Sequence, residues 1–325
     1  MSIQYKSIAE LKTMLNNNEI SNAELIKETF SLVKSNAEIN AFITLNDEES
    51  INKANKLDDC PSSGSLAGIP IAQKDLFCTK DLKTTCGSNM LSNFIPPYSA
   101  TVVKNLENAG CISIGKTNMD EFAMGSSNET SFYGKVQNPW GKNLVPGGSS
   151  GGAAAAVAAG IVPAASGTDT GGSIRQPASL CGVTGIKPTY GRISRWGMIA
   201  FASSLDQAGP IARTAEDCAT LLNEMCSHDE KDTTSLNEDI PDFTENLNSP
   251  INGLKIGIVK EFDLSKLDNE VVKVFEESKK HYESLGAEFI EISLPNISLS
   301  VPTYYVVAPA ECSSNLSRFD GVKFG

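Results

Sequence analysis

The amino-acid sequence predicts an α/β protein, because helical and strand-like patterns alternate along it. Residues 100–110 have a helical pattern that stops at Gly110, and the strand-like segment CISIG follows at once. The same alternation returns at residues 254–294, as strand, amphipathic helix and strand. Helices that lead into strands at this spacing are typical of α/β folds. The 325 residues, 40% of them hydrophobic, suffice for a large core.

The N-terminal part predicts helices first and then a strand. Two amphipathic helices begin with capping boxes, Ser7 with Glu10 and Ser21 with Glu24. In a capping box, the hydroxyl and the carboxylate accept hydrogen bonds from backbone amides that the first helical turn leaves free. The alternating segment AFITLN at residues 41–46 predicts a strand.

Residues 65–77 predict a strand that contains one lysine. Apolar residues precede and follow Lys74, among them Ile71 and Phe77, so we expect the lysine to be buried. Burial favours the neutral amine, which can accept a proton in catalysis. The alternative, which holds for most lysines, is a surface residue whose amine reaches water.

Residues 143–174 contain a single charged residue, Asp169, and residues 147–197 contain 12 of the 26 glycines. The segment AAAAVAAGIVPAA is thirteen residues long and interrupted by Pro163, which is too short for a membrane span. We therefore expect a tightly packed buried helix, next to glycines that allow unusual backbone shapes. Such a rigid centre suits an enzyme site.

Two serines stand out in this glycine-rich region. Ser149 lies in PGGSSGG, which lacks the G-K-[ST] ending of a phosphate loop and the G-x-G-x-x-G of a dinucleotide site. The run from Thr170 to Ser173 precedes a helical segment, so its backbone amides can form a nest for an anion or an oxyanion. Ser173 at the edge of this nest is a candidate nucleophile, and a helix N-cap is its alternative role.

The two histidines of the chain are poor candidates for a catalytic base. His228 opens an acidic segment, and His281 lies in an amphipathic helix. We expect four residues of that helix to face a core, namely Val272, Val274, Phe275 and Tyr282. A Ser-His-Asp hydrolase is therefore not expected, and a neutral lysine would have to serve as the base.

Charge and cysteine content exclude several further classes of protein. The net charge is −12, which argues against a nucleic-acid-binding surface. The eight cysteines include no C-x-x-C pair, so we expect reduced, mostly buried thiols and neither a zinc site nor a disulfide framework. No signal-peptide pattern and no run of eighteen apolar residues is present, so we expect a cytoplasmic protein that does not contact membranes.

Residues 138–194, which contain the PGGSSGG and GTDTGGSIRQPA motifs, resemble the hallmark of the amidase signature family, and the resemblance extends over residues 5–325. Residues 115–134, residues 195–214 and the terminal NLSRFDGVKFG resemble the glutamine-hydrolysing subunits of tRNA-dependent amidotransferases in that family. The resemblance implies a central mixed, twisted β-sheet covered on both faces by helices. Family members continue further, so it also implies that the C-terminal part of the fold is missing.

The resemblance also implies roles for particular residues. Ser173 would be the nucleophile, Ser149 the relay serine after a cis peptide at Gly148, and Lys74 the base. Asp169 and Arg175 would fix the loop by an ion pair or backbone contacts. The expected oxyanion hole consists of the backbone amides of Thr170, Gly171, Gly172 and Ser173, and the expected substrate-binding residues are Gly125, Ser126 and Tyr304.

The implied reaction is hydrolysis of the glutamine side-chain amide. In the family complex, ammonia passes to a partner, the B subunit, which uses ATP with Mg²⁺ to activate glutamate attached to tRNA(Gln). A small third chain, the C subunit, completes a heterotrimer. The glutamine-hydrolysing subunit itself would need neither a cofactor nor a metal. Alternatives are a stand-alone amidase that acts on other amides, and a catalytically impaired chain that keeps only a scaffold role.

The expected organisation is a single domain over residues 1–325, incomplete at its C-terminus. Its parts are an N-terminal helical part (1–60), a catalytic core (65–227), an acidic linker (228–250) and a second β-α-β part (251–325).

Overall fold

The computed structural model describes residues 3–61 and 63–324 of the chain. Contacts between residues divide the chain into two compact units, Met1–Thr244 with Ala308–Gly325, and Glu245–Val307. The helices are α1 (Ile8–Asn16), α2 (Asn22–Ser35), α3 (Asp47–Asp59), α4 (Thr101–Asn108), α5 (Gly151–Ala158), α6 (Arg175–Cys181), α7 (Ala215–Met225), α8 (Asn269–Ser284) and α9 (Ser300–Leu316). The strands are β1 (Phe42–Leu45), β2 (Pro70–Lys74), β3 (Ile112–Thr117), β4 (Ala164–Asp169), β5 (Thr184–Gly185), β6 (Gln207–Ala212), β7 (Lys255–Val259) and β8 (Glu288–Ile292).

A mixed sheet of six strands, in the order β1-β3-β2-β4-β6-β5, forms the centre of the first unit. Strand β2 pairs in parallel with β3 and β4, whereas β1, β6 and β5 join their neighbours antiparallel. The predicted α/β fold with a central mixed sheet is therefore confirmed. Strands β2, β3, β4 and β6 are buried along their whole length, which requires cover on both faces.

The N-terminal helices begin where the sequence predicts. The side chains of Ser7 and Ser21 accept from the amides of Glu10 and Glu24, and both reciprocal bonds of each capping box are present. The predicted strand at residues 41–46 is β1. Helix α3 follows it and was not expected, although its first turn carries three acidic residues that suit a helix N-terminus.

The alanine-rich helix α5 is entirely buried, as predicted. It packs on strands β2, β4 and β6 at the centre of the core. A side-chain carbon at Gly152 would lie 2.6 Å from the carbonyl oxygen of Ala41 and closer still to that of Asn118. Glycine is therefore required there, because two backbone segments approach the helix too closely for any side chain.

In the second unit, the predicted β-α-β arrangement is present: β7 and β8 pair in parallel, and α8 connects them. The prediction that α8 faces a core is wrong. Val274 is 60% exposed, Phe275 36% and Tyr282 45%, while Val272 is only half-buried. The sheet beside this helix consists of two strands, β7 and β8, and offers little apolar surface for a helix to pack on.

Residues 228–250 form no helix or strand, but several of their acids bind groups elsewhere in the chain. Asp229 accepts from Ser194 Oγ at 2.6 Å, and Asp232 accepts from the Arg195 amide at 2.8 Å. Seven of the eight cysteines are buried, as the sequence predicts, and Cys60 is exposed. Among the described residues, no helix has the length and apolar character needed to cross a membrane.

Candidate active site

The candidate active site lies where the neighbouring parallel strands β2 and β4 end. Lys74 is the last residue of β2, and Asp169 is the last residue of β4. The loops that lead into α5 and α6 meet at the same edge, where the Ser150 amide donates to the Ser173 carbonyl at 3.2 Å. The Gly148 amide donates to Gln176 Oε1 at 3.0 Å. These bonds bring the two glycine-rich motifs together.

The Lys74 amine is fully buried and lies among three hydroxyl groups. Its Nζ is 2.8 Å from Ser149 Oγ, Ser150 Oγ and Thr168 Oγ1. The two serines immediately precede α5, and Thr168 lies on β4 next to β2. The expected contact between Lys74 and Ser149 is therefore present.

Burial lowers the pKa of Lys74 from 10.5 to about 7, as the sequence leads one to expect. The carboxylates of Asp120, Asp169 and Asp206 act in the opposite direction, because negative charge favours the ammonium. A base with a pKa near neutrality exists in both protonation states at neutral pH. Lys74 can therefore both accept and return a proton.

Ser149 is buried and follows a cis peptide bond with Gly148, as expected. Its carbonyl accepts from the Asp120 amide at 3.3 Å. Asp120 Oδ2 in turn accepts from the Asn128 amide at 2.9 Å, and any side chain at Gly148 would collide with that carboxylate oxygen. Asp120 therefore connects the Ser149 segment to the loop at 125–128.

Ser173 is half-exposed, and no described group forms a hydrogen bond with its hydroxyl. It does not cap α6, because the N-cap position is Ile174 and no side chain caps this helix. The N-cap alternative is therefore wrong. An accessible hydroxyl without a structural partner suits a nucleophile.

The backbone between β4 and α6 has the features of an anion nest. The amides of Gly171, Gly172 and Ser173 donate to no acceptor among the described residues. Gly172 has a φ of +143°, and the nearest atom to a side-chain carbon placed there would be 3.9 Å away, on Gln176. The Thr170 hydroxyl anchors the start of the nest by donating to Asp206 Oδ1 at 2.6 Å.

The ion pair expected between Asp169 and Arg175 is present. Arg175 donates to both carboxylate oxygens, from Nε at 3.0 Å and from a terminal nitrogen at 2.9 Å. The amides of Ile174 and Arg175 also donate to Asp169. Burial alone would raise the pKa of Asp169, but these donors hold that pKa below its usual value. The pair closes the turn that contains the nest.

The structure places two of the three expected substrate-binding residues beside Ser149. Gly125 and Ser126 are exposed, and a side-chain carbon at Gly125 would lie 3.0 Å from the Ser149 amide nitrogen. Tyr304 belongs to the second unit, on α9, where its ring packs against Tyr305 with centroids 5.5 Å apart.

Ser150, Thr168, Asp120 and Asp206 take part in this site and were not predicted. For Thr168 the sequence does contain a clue, because Ser166 and Thr168 are two residues apart on the strand before Asp169 and therefore share a face. Nothing in the sequence around Ser150 distinguishes its role from that of Ser149, since both lie in PGGSSGG. The histidines at 228 and 281 are both exposed. Among residues 3–61 and 63–324, no cluster of His, Cys, Asp or Glu could hold a metal ion.

The arrangement suits acyl transfer. It combines an accessible serine, a buried hydroxyl that contacts a lysine of lowered pKa, and backbone donors for an oxyanion.

A sequence profile described as "Amidase" matches residues 24–324. The chain is 59% identical to the glutamyl-tRNA(Gln) amidotransferase A subunit of Coxiella burnetii and 58% identical to that of Nitrosomonas eutropha. These matches cover 98% of this chain and 67% and 66% of the relatives, so the chain spans about two thirds of their length.

The chain is also similar to solved structures of this kind. The crystal structure of the glutamyl-tRNA(Gln) amidotransferase A subunit from Thermotoga maritima is 42% identical, with a TM-score of 0.88. That match covers 97% of this chain and 67% of the other. The peptide amidase from Stenotrophomonas maltophilia is 29% identical with a TM-score of 0.90 and the same coverage of both chains. The chain belongs to the amidase family.

Proposed function

We propose that this chain is the glutamine-hydrolysing subunit of a tRNA-dependent amidotransferase and supplies ammonia to convert Glu-tRNA(Gln) into Gln-tRNA(Gln). The observation that carries the chemistry is the 2.8 Å contact between Lys74 Nζ and Ser149 Oγ. The accessible Ser173 is joined to this segment because its carbonyl accepts from the Ser150 amide. The substrate is supported by the 59% and 58% identity to amidotransferase A subunits.

In the proposed reaction, Ser173 Oγ attacks the carbon of the glutamine carboxamide. The Ser173 proton moves to Ser149, whose own proton moves to Lys74 Nζ. The oxyanion accepts hydrogen bonds from the amides of Thr170, Gly171, Gly172 and Ser173. As the C–N bond breaks, the proton returns from Lys74 through Ser149 to the nitrogen, and ammonia leaves. Water then attacks the ester by the same proton route, releasing glutamate and free Ser173.

Glutamine would bind at the exposed backbone of Gly125 and Ser126. The role of Tyr304, which belongs to the second unit, stays a prediction of the family resemblance. Ammonia would pass to the B subunit, which uses ATP with Mg²⁺, and the C subunit would complete the heterotrimer that binds tRNA(Gln). This role in translation belongs in the cytoplasm.

A stand-alone amidase is the second candidate function, and the peptide amidase structure with a TM-score of 0.90 favours it. A catalytically impaired scaffold is the third candidate, and a test of the Ser173 nucleophile separates it from the other two. Ammonia release from glutamine only together with the B and C subunits supports the first function. Hydrolysis of simple amides by the isolated chain, with no association on size-exclusion chromatography, supports the second.

The decisive variant is Ser173→Ala, with Ser179→Ala on the exposed face of α6 as a matched control. We expect Ser173→Ala to abolish ammonia release with unchanged circular dichroism, and Ser179→Ala to retain it. Mass spectrometry after treatment with an acyl-trapping inhibitor should locate an adduct on Ser173. Undiminished activity in Ser173→Ala would overturn the assignment of the nucleophile, and a wild-type chain without an adduct would support the scaffold role.

A further inference from the structure

We propose that Ser150 and Thr168 are positioning residues that, together with Ser149, form an acceptor cage for the Lys74 ammonium produced when the nucleophile loses its proton. The acceptor cage is defined as the three hydroxyl oxygens Ser149 Oγ, Ser150 Oγ and Thr168 Oγ1. The catalytic meaning of the cage rests on the function proposed above, but its effect on the protonation of Lys74 does not.

The number of contacts matches an ammonium better than a neutral amine. An ammonium has three N–H donors, and Lys74 Nζ has three hydroxyl oxygens at 2.8 Å. A neutral amine has two N–H donors and one lone pair, so one of the three hydroxyls must then donate to it. Proton transfer to Lys74 therefore completes the set of bonds in which every hydroxyl accepts.

Ser150 can only accept from this amine. Its single proton is used by the carbonyl oxygen of Thr168 at 3.2 Å, and its oxygen also accepts from the Thr168 amide at 3.3 Å. Because a hydroxyl has one proton, none remains for Lys74. This arrangement favours Ser149 over Ser150 as the proton relay, although both lie equally close to Lys74.

The other two oxygens of the cage are free to exchange roles. Among the described residues, the side-chain oxygens of Ser149 and Thr168 have Lys74 Nζ as their hydrogen-bond partner. When Ser149 donates to the lone pair of the neutral amine, the two N–H groups point to Ser150 and Thr168. That state is the one ready for transfer of the Ser149 proton.

Rigid backbone holds the cage in place. Thr168 lies on β4, where it pairs with Ala208 of the adjacent antiparallel strand. Ser150 is held by the hydrogen bond that its backbone amide donates to the Ser173 carbonyl. The charged and titratable groups facing Lys74 are the carboxyl groups of Asp120, Asp169 and Asp206 and the thiol of Cys86. None of these groups forms a hydrogen bond with Nζ, so the cage provides its direct partners.

The test measures the titration of Lys74 by NMR in the full chain with ¹³C-labelled lysine, where the Lys74 signal is assigned by its absence in Lys74→Met. In Thr168→Val and in Ser150→Ala, we expect the midpoint to fall by about one pH unit, because the ammonium loses an acceptor. Thr168→Ser retains the hydroxyl and should keep the wild-type midpoint. Ser166→Ala on the same strand is the matched control, since the Ser166 hydroxyl contacts the Lys74 amide instead of Nζ.

An unchanged or higher midpoint in both Thr168→Val and Ser150→Ala would overturn the proposal. Denaturation curves identify a variant that fails to fold, and the remaining cage variant then decides. The acid limb of the amide-hydrolysis profile should shift in the same direction, with a lower maximal rate in Thr168→Val. If the wild-type chain releases no ammonia from glutamine even together with the B and C subunits, the proposed function fails while the NMR titration still decides on the cage.

Discussion

Lys74 Nζ and Ser149 Oγ lie 2.8 Å apart in the core, and both side chains are fully buried. A buried amine must be neutral or must have partners for its charge. Lys74 has hydrogen-bond partners, and its lowered pKa also makes the neutral form accessible. Three hydroxyls surround it, and nearby carboxylates favour its protonation, but burial dominates and lowers its pKa to about 7. Protonation of this site is therefore coupled to the stability of the fold.

The first prediction concerns the pH dependence of stability. The ordinary lysine pKa is 10.5 and the folded value is about 7, so between these values the unfolded chain binds one more proton than the folded chain. The free energy of unfolding should therefore rise with pH in this window, by about 1.4 kcal/mol per unit from this group. Lys74→Met removes this contribution. Urea denaturation at pH 7 and pH 9 should show that the free energy of unfolding rises between these pH values by about 2 to 3 kcal/mol more in the wild type than in Lys74→Met.

Groups other than Lys74 titrate equally in both proteins, so the difference between the two curves isolates the lysine. Parallel dependence on pH in the wild type and in Lys74→Met would contradict the prediction.

The second prediction concerns the closed turn around the nest. Arg175→Ala removes both side-chain hydrogen bonds to the buried Asp169. The two hydrogen bonds from the backbone amides of residues 174 and 175 remain. We expect a loss of about 1 to 3 kcal/mol in the free energy of unfolding at pH 7. Arg175→Lys keeps the charge but not the bidentate contact, so its free energy of unfolding should lie between those of the wild type and Arg175→Ala.

The pKa of Asp169 is lowered in the folded state, so the stabilisation is present above the ordinary value of 3.8 and is lost as the pH falls through the folded value. In Arg175→Ala, acid unfolding should begin at a higher pH. Equal acid unfolding midpoints for wild type and variant would show that the ion pair does not stabilise the turn.

The third prediction concerns a second buried lysine. Lys116 Nζ lies 3.6 Å from Asp75 Oδ1 with both side chains fully buried, and it donates to the Phe77 carbonyl and to Thr84 Oγ1. Burial lowers the pKa of Lys116 and raises the pKa of Asp75, while each partner opposes the shift of the other. Lys116→Met should destabilise the chain by about 3 to 5 kcal/mol, because a buried carboxyl group loses its cation.

The control for this pair is Lys104→Met, which changes an exposed lysine on α4 and should alter stability little. The double variant Lys116→Met with Asp75→Asn should lose less stability than the sum of the two single variants. Additive losses would mean that the two groups do not interact.

The fourth prediction concerns helix α5. Gly152→Ala would improve helix propensity by about 1 kcal/mol but would force a methyl group against the backbone of Ala41 and Asn118. We expect a net loss of about 2 kcal/mol or more in thermal or urea unfolding, because backbone cannot move aside as a side chain can. Ala158→Gly in the same helix should cost only about 1 kcal/mol. A Gly152→Ala protein as stable as the wild type would contradict the close approach.

Much of the local structure follows from the sequence because its causes are local. Capping boxes at Ser7 and Ser21 set the starts of α1 and α2, and alanine without interruption by charge predicts the buried α5. The apolar surroundings of Lys74 predict its burial, and burial predicts the direction of its pKa shift. The scarcity of histidine directs attention to that lysine as a base.

Only the tertiary structure decides which groups surround the amine. Ser149, Ser150 and Thr168 are 75, 76 and 94 residues from Lys74 along the chain, and they meet because β2 and β4 are neighbours in the sheet. The same holds for helix α8, whose apolar face was expected in a core but is exposed beside a two-stranded sheet. A hydrophobic pattern specifies that a face can be buried, whereas packing partners far along the chain determine whether it is.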